Sequence, residues 1–184
     1  SLEYEKFPFN PEDISIILVD THVKHSLASS EYNLRRKQCA TGVNTIKTKY
    51  PYVESLRDVS IDLLMKFKQN LEPEVFEKCL YVVEEIRRLN LACDALGQDD
   101  YSLFGKLMFE THLGLSKLYK VSSKELDLLA ERAMELPGVF GARMMGGGFG
   151  GCTINLVSKS NVDIFLDEIQ KSYFGHFGVK PEFY

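Results

Sequence analysis

Five glycines in six residues, Gly146-Gly147-Gly148-Phe149-Gly150-Gly151, are the part of this chain best suited to chemistry. Without a Cβ the backbone takes φ > 0 freely, and its N–H groups can come close to a ligand or another loop. Successive amides in such a turn form a concave anion site. Val139 to Met145 reads as a short extended segment, and Cys152-Thr153-Ile154-Asn155-Leu156-Val157 alternates as a half-buried strand does. The unit is strand, glycine loop, strand. The run matches G-x-G-x-x-G, yet a dinucleotide fingerprint needs a helix next, and a strand pattern follows instead. A Walker A loop needs Gly-Lys-Ser/Thr, which is absent. A protein-kinase glycine loop opens its domain, and nothing downstream resembles V-A-I-K, H-R-D or D-F-G. A long glycine hairpin with no ligand stays open as an alternative.

Other residues offer less. His22 and His25 make an H-x-x-H pair at a strand end, but without a nearby carboxylate set they read as loop residues and not as a metal site. Lys24, Arg35 and Arg36 read first as solvated helix charges, with attracting a nucleotide or ordering a domain interface as the alternative. Glu84, Glu85, Arg87 and Arg88 read as an exposed ion-pair face. Cys39, Cys79, Cys93 and Cys152 contain no C-x-x-C pair, so they read as small apolar core residues in a reducing cytoplasm.

The elements that must position the loop are legible from pattern. At 184 residues the chain has the length of one domain, able to bury about 70% of its unfolded surface. Its hydrophobic fraction of 45% and charged fraction of 26% are those of a soluble globular protein. A net charge of −4 gives no basic footprint for nucleic acid, and no apolar stretch reaches membrane-spanning length. Ile14 to Asp20 is a buried strand by its β-branched content. Ser29 and Ser30 are N-cap candidates for a helix from Tyr32 to about Lys49. A short helix is expected over Ile61 to Gln69, then a long one from Pro73 to about Leu96, with Val75, Cys79, Val82, Val83, Ile86, Leu89, Asn90 and Cys93 on one face. Tyr101 to Leu118 reads as another helix, and Ser122-Ser123-Lys124-Glu125 as a capping box for the next. A last helix, Val162 to Tyr173, precedes a strand beginning near Lys180. The fold class is α+β: a small antiparallel sheet covered by helices, in the order β, four or five helices, then ββαβ.

Several stretches together resemble one family. Asp20 to Arg36, with its Ser29-Ser30-Glu31-Tyr32, resembles the segment that opens the second half of galactokinases. Asp100 to Met108, Glu110-Thr111-His112, Ser122 to Leu129 and Pro137 to Met144 match the same enzymes in the same order. The glycine run with Cys152-Thr153 is similar to the third motif of the GHMP kinases. The resemblance covers nearly the whole chain and implies a GHMP-kinase C-terminal domain spanning residues 1–184, with the N-terminal half absent and both ends trimmed. Met145 stands where the family more often has Thr, and Tyr81 where many relatives carry His.

What the resemblance implies about chemistry is half an active site. The family's sugar signature, its ATP-phosphate motif and its catalytic Asp lie upstream, so no catalytic residue and no metal ligand is expected here. Tyr32 is similar to a side chain that hydrogen-bonds the galactose ring. Gly146, Gly147, Gly148, Phe149, Gly150 and Gly151 would pack beside the phosphate-binding loop and shape the sugar–phosphate crevice. Galactose, ATP and Mg²⁺ are the implied ligands of the complete enzyme, and its own N-terminal domain the implied partner; no nucleic acid or membrane is expected, and the location is cytoplasmic. The alternatives are a non-catalytic sugar sensor or a kinase for a related hexose such as N-acetylgalactosamine. Glu110 and His112 are expected to make packing or interface contacts.

Overall fold

A computed structural model of the chain describes residues 6, 7, 9, 11–23 and 28–184. Strand β1 (Ile14–Asp20) is followed by helices α1 (Ala28–Lys47), α2 (Ile61–Lys66), α3 (Pro73–Gly97), α4 (Tyr101–Gly114) and α5 (Lys124–Glu135). The chain then runs through β2 (Val139–Met144), β3 (Cys152–Ser158), α6 (Val162–Phe177) and β4 (Glu182–Phe183). The four strands form one antiparallel sheet in the order β2-β3-β1-β4. The α+β class and the expected element order hold.

Alternation along the strands divides the sheet into two faces. Ile17 and Val19 of β1, Ala142 of β2 and Val157 of β3 turn toward Leu129 and Ala133 of α5 and Phe165, Ile169 and Tyr173 of α6. Ile16, next to the inward Ile17, points the other way and is 48% exposed. A second core joins α1, α2 and α3 around Ile46, Leu64, Phe67, Cys79 and Val83. Helix α4 lies along edge strand β2. Contact there is backbone to backbone: a Cβ on Gly105 would stand 2.1 Å from the Phe140 carbonyl oxygen, and one on Gly141 2.3 Å from that of Gly105.

Several expectations need correction. Helix α1 begins at Ala28, so Ser29 and Ser30 lie in its first turn and not at the cap position. The expected Ile61 to Gln69 helix stops at Lys66, and a 3₁₀ turn takes over at Lys68–Asn70. Regular α4 ends at Gly114, against which the Tyr81 ring packs, and continues as a π-helical turn, Leu115–Tyr119. The cap of α5 is Ser123, which accepts from Leu126 N, so the reciprocal box read from Ser122 and Glu125 does not form. Helix α6 runs on to Phe177, where Gly178 closes it in the left-handed conformation. On α3, Leu89 is 61% exposed, whereas Lys78 is buried. The expected exposed ion-pair face is in part a bridge: Arg88 pairs with Glu85 and with Glu110 of α4 (3.6 Å), and Thr111 donates to Glu85. All four cysteines are free thiols.

Candidate functional site

The glycine loop is tied down at its start, middle and end. At its start Met145 N donates to the Cys152 carbonyl (2.9 Å), and Met144 N donates to Nδ1 of the buried His112 on α4 (3.1 Å). In the middle Phe149 N donates to the Val121 carbonyl (2.7 Å). Phe149 takes a left-handed φ of 62° to do so, and its ring packs beside Val121, Leu126 and Met144. At its end the Gly151 carbonyl accepts from both N and Oγ1 of Thr21, while Gly151 N donates to the Val23 carbonyl. Tyr173 Oη donates to the Thr21 carbonyl in turn (2.8 Å). The hairpin is therefore a built scaffold and not a slack connection.

His112 sits in a polar chain that explains the stiffness of the loop's first end. Because its Nδ1 accepts from Met144, the ring proton is on Nε2, which faces Asp127 Oδ1 of α5 at 3.2 Å. The other carboxylate oxygen accepts from Ser116 Oγ (2.9 Å). Burial would raise the Asp127 carboxyl, but the neighbouring His112 ring and the Ser122 and Ser116 hydroxyls outweigh it and hold the group below its ordinary value. His112 thus has a positional task, consistent with the packing expected of it. Its signal in the sequence is weak: a His on the inner face of a helix has many uses.

The glycines divide by surroundings. A Cβ on Gly148 (φ 87°) would stand 2.0 Å from the Val121 carbonyl oxygen, and one on Gly150 (φ 138°) 2.5 Å from that of Val23. These two are required by the fold itself. A methyl placed on Gly146 or Gly147 would meet nothing within 4 Å. Only that tip is free to meet something else. A Gly148→Val loss would therefore report on folding, whereas Gly147→Ala separates fold from site. We expect Gly147→Ala to leave the thermal midpoint of this domain within about 2 °C, since an exposed change costs within about 0.5 kcal/mol. A midpoint that falls further would show that the tip, too, belongs to the scaffold.

Tyr32 lies in the first turns of α1 and is 56% exposed, an aromatic surface turned to solvent that suits a ligand or partner contact. Arg35, one turn on, is not a solvated charge: it is 7% exposed and donates to the Tyr119 and Lys120 carbonyls. Lys24 and His25 lie outside the described residues. His22 (φ 57°) donates its N–H to Asp20, as a loop residue does. Among the described residues no group of three or more His, Cys, Asp and Glu side chains could hold a metal ion. Two surface cavities, of about 440 Å³ between α5 and α6 and about 620 Å³ beside α2 and α3, are lined by neither Tyr32 nor the glycine loop. The open tip and the exposed tyrosine are the parts of this region left outside its packed cores.

Comparisons with known proteins bear on the family and the fold. The family model described as GHMP kinases C terminal matches residues 92–175. The chain is 40% identical over 185 residues to a galactokinase of Clostridium perfringens, covering 100% of the chain and 48% of that protein. It is 41% identical over 175 residues to a galactokinase of Bos taurus, covering 95% of the chain and 43% of that protein. The crystal structure of Lactococcus lactis galactokinase complexed with galactose superposes with a TM-score of 0.94 at 31% identity, over 100% of this chain and 47% of that one. The chain spans about half the length of the curated relatives it matches. Identity of 40% and a close superposition, both along its whole length, place this chain among the GHMP-kinase C-terminal domains of the galactokinase family.

Proposed function

We propose that this chain is the C-terminal half of a kinase that transfers the γ-phosphoryl group of MgATP to the anomeric hydroxyl of galactose. The observation that carries the reading is the superposition along the whole chain on a galactokinase crystallised with galactose. Tyr32, exposed at the start of α1, supplies a rigid polar tip for the sugar ring. The tip at Gly146 and Gly147 supplies close backbone approach near the phosphates, with no proton to move. Phosphoryl transfer needs metal-neutralised phosphates and an oriented hydroxyl. The family resemblance assigns Mg²⁺ and the catalytic carboxylate to the N-terminal domain, the partner that would complete the crevice. Among the described residues no helix is long and apolar enough to cross a membrane, and the free thiols suit a cytoplasmic protein.

The test is sugar-dependent ADP release. The folded 184-residue chain should show none, and the complete protein should turn over galactose in preference to N-acetylgalactosamine. Tyr32→Phe in the complete protein should raise the galactose KM about five- to tenfold, the loss of one hydrogen bond, with the ATP KM unchanged. Binding of both ligands without turnover would identify a sensor instead, and turnover by this chain alone would end the half-site reading.

A further inference from the structure

Two buried cations have no part in the roles assigned so far. Arg35 of α1 is 7% exposed and Lys78 of α3 is 1% exposed. A cation so placed is tolerated only if its donors are met. Their acceptors lie on one short stretch of chain. Lys78 Nζ donates to the Leu118 carbonyl (2.6 Å). Arg35 Nε donates to the Tyr119 carbonyl (2.7 Å), and its Nη2 to the Lys120 carbonyl (3.0 Å). The next carbonyl, Val121, accepts from Phe149 N of the glycine loop (2.7 Å). Four successive carbonyls are thus taken by α3, by α1 twice, and by the loop.

The stretch is also fixed from other sides. Lys120 takes a left-handed φ of 56° and closes the π-helical turn with its N–H on Leu115, and its ammonium pairs with Glu77 of α3 (3.1 Å). Glu31 of α1 pairs with the Arg35 guanidinium (3.1 Å). Cations at the carbonyl end of a helical turn also meet its negative pole. Tyr32 precedes Arg35 by three residues and so shares its helix face. Rotation or sliding of α1 would carry Tyr32 with it, and the guanidinium fork opposes both because it spans two carbonyls at once.

We propose that Arg35, acting with Lys78, is a positioning residue of the site: through residues 118–121 it holds the Tyr32 turn of α1 at a fixed separation from the glycine loop. This rests on the reading of Tyr32 as the sugar contact, but the mechanical coupling to the loop can be measured without it.

The experiment uses the complete protein carrying Arg35→Lys, which keeps the charge and loses the fork. Amide hydrogen exchange of residues 146–150 should quicken about tenfold, the loss of one charge-assisted hydrogen bond, while exchange in α2 and α6 stays as in the parent. The galactose KM should rise by a similar factor with the ATP KM unchanged. Tyr32→Phe combined with Arg35→Lys should be no worse in galactose KM than Tyr32→Phe alone, because Arg35 acts through Tyr32. If Arg35→Lys does not fold, Lys78→Met, which frees the Leu118 carbonyl and leaves Arg35 in place, carries the same measurements. Unchanged loop exchange, a uniform rise across all elements, or additive effects on KM would each overturn the proposal. A parent protein without galactose turnover would instead remove the functional reading and leave the exchange result to decide the coupling.

Discussion

Gly105→Ala is expected to destabilise the domain by about 3 kcal/mol or more. The sign is the informative part. Alanine in a helix interior is ordinarily better than glycine by about 1 kcal/mol, so propensity alone predicts a more stable protein. Here the new methyl would stand 2.1 Å from the Phe140 carbonyl oxygen and 2.3 Å from its carbon. Both are backbone atoms of the edge strand, with no side chain to swing aside. Relief requires α4 to move off β2 as a body, and that strains the bond from Met144 to His112 at the root of the glycine loop. Urea unfolding of the 184-residue chain followed by circular dichroism measures the effect. A midpoint equal to or above that of the parent would show that α4 and β2 do not meet as described.

The second large effect is at His112. His112→Leu keeps the volume but removes the acceptor for Met144 N and the partner of Asp127. An orphaned buried N–H costs about 1–3 kcal/mol, and a carboxylate deprived of its partner adds to it. Asp127 is 27% exposed at its side chain, which lets water take up part of that cost, so we expect about 2–4 kcal/mol in all. The pair also has a pH signature. The folded Asp127 carboxyl lies below its ordinary value of 3.8, so its contribution is complete above about that pH and is lost as pH falls through the folded value. The stability gap between the parent and Asp127→Asn should therefore be constant from pH 7 to about 5 and narrow below about 4. A gap that stays level down to about pH 2.5 would mean the carboxylate does nothing for folding.

Much of the architecture is legible in the sequence, because the signals involved are local. The β-branched run at residues 14–20, the period-two run at 152–157 and the 3.6-residue stripes of α3 and α5 each report their own element. The strand–glycine loop–strand unit is readable for the same reason, and from it the exclusion of dinucleotide and Walker loops. Helix ends are read less well. Ser122 and Ser123 look alike as caps, and the stop of α4 at Gly114 coincides with the Tyr81 ring of another helix. Gly105 and Gly141 do carry a faint signal, since each is a poor residue for the middle of its element and such glycines often mark close backbone approach. Only the tertiary structure shows that the two glycines face each other.

The sequence by itself determined the element order, the α+β class, the glycine hairpin and the family, since each is written in neighbouring residues or in motif order. The tertiary structure decided which parts of that hairpin are scaffold and which are free. Gly148 and Gly150 are committed to the carbonyls of Val121 and Val23, and the tip at Gly146 and Gly147 is not. It also turned Arg35 from a solvated charge into a buried one and set Lys78 beside it in the interior. No local pattern could have done so, because a cation is buried only where carbonyls distant in the chain are brought to it. Those carbonyls lie 84, 85 and 40 positions away. Charge tells what a side chain would rather avoid, and only the fold tells what compensates it.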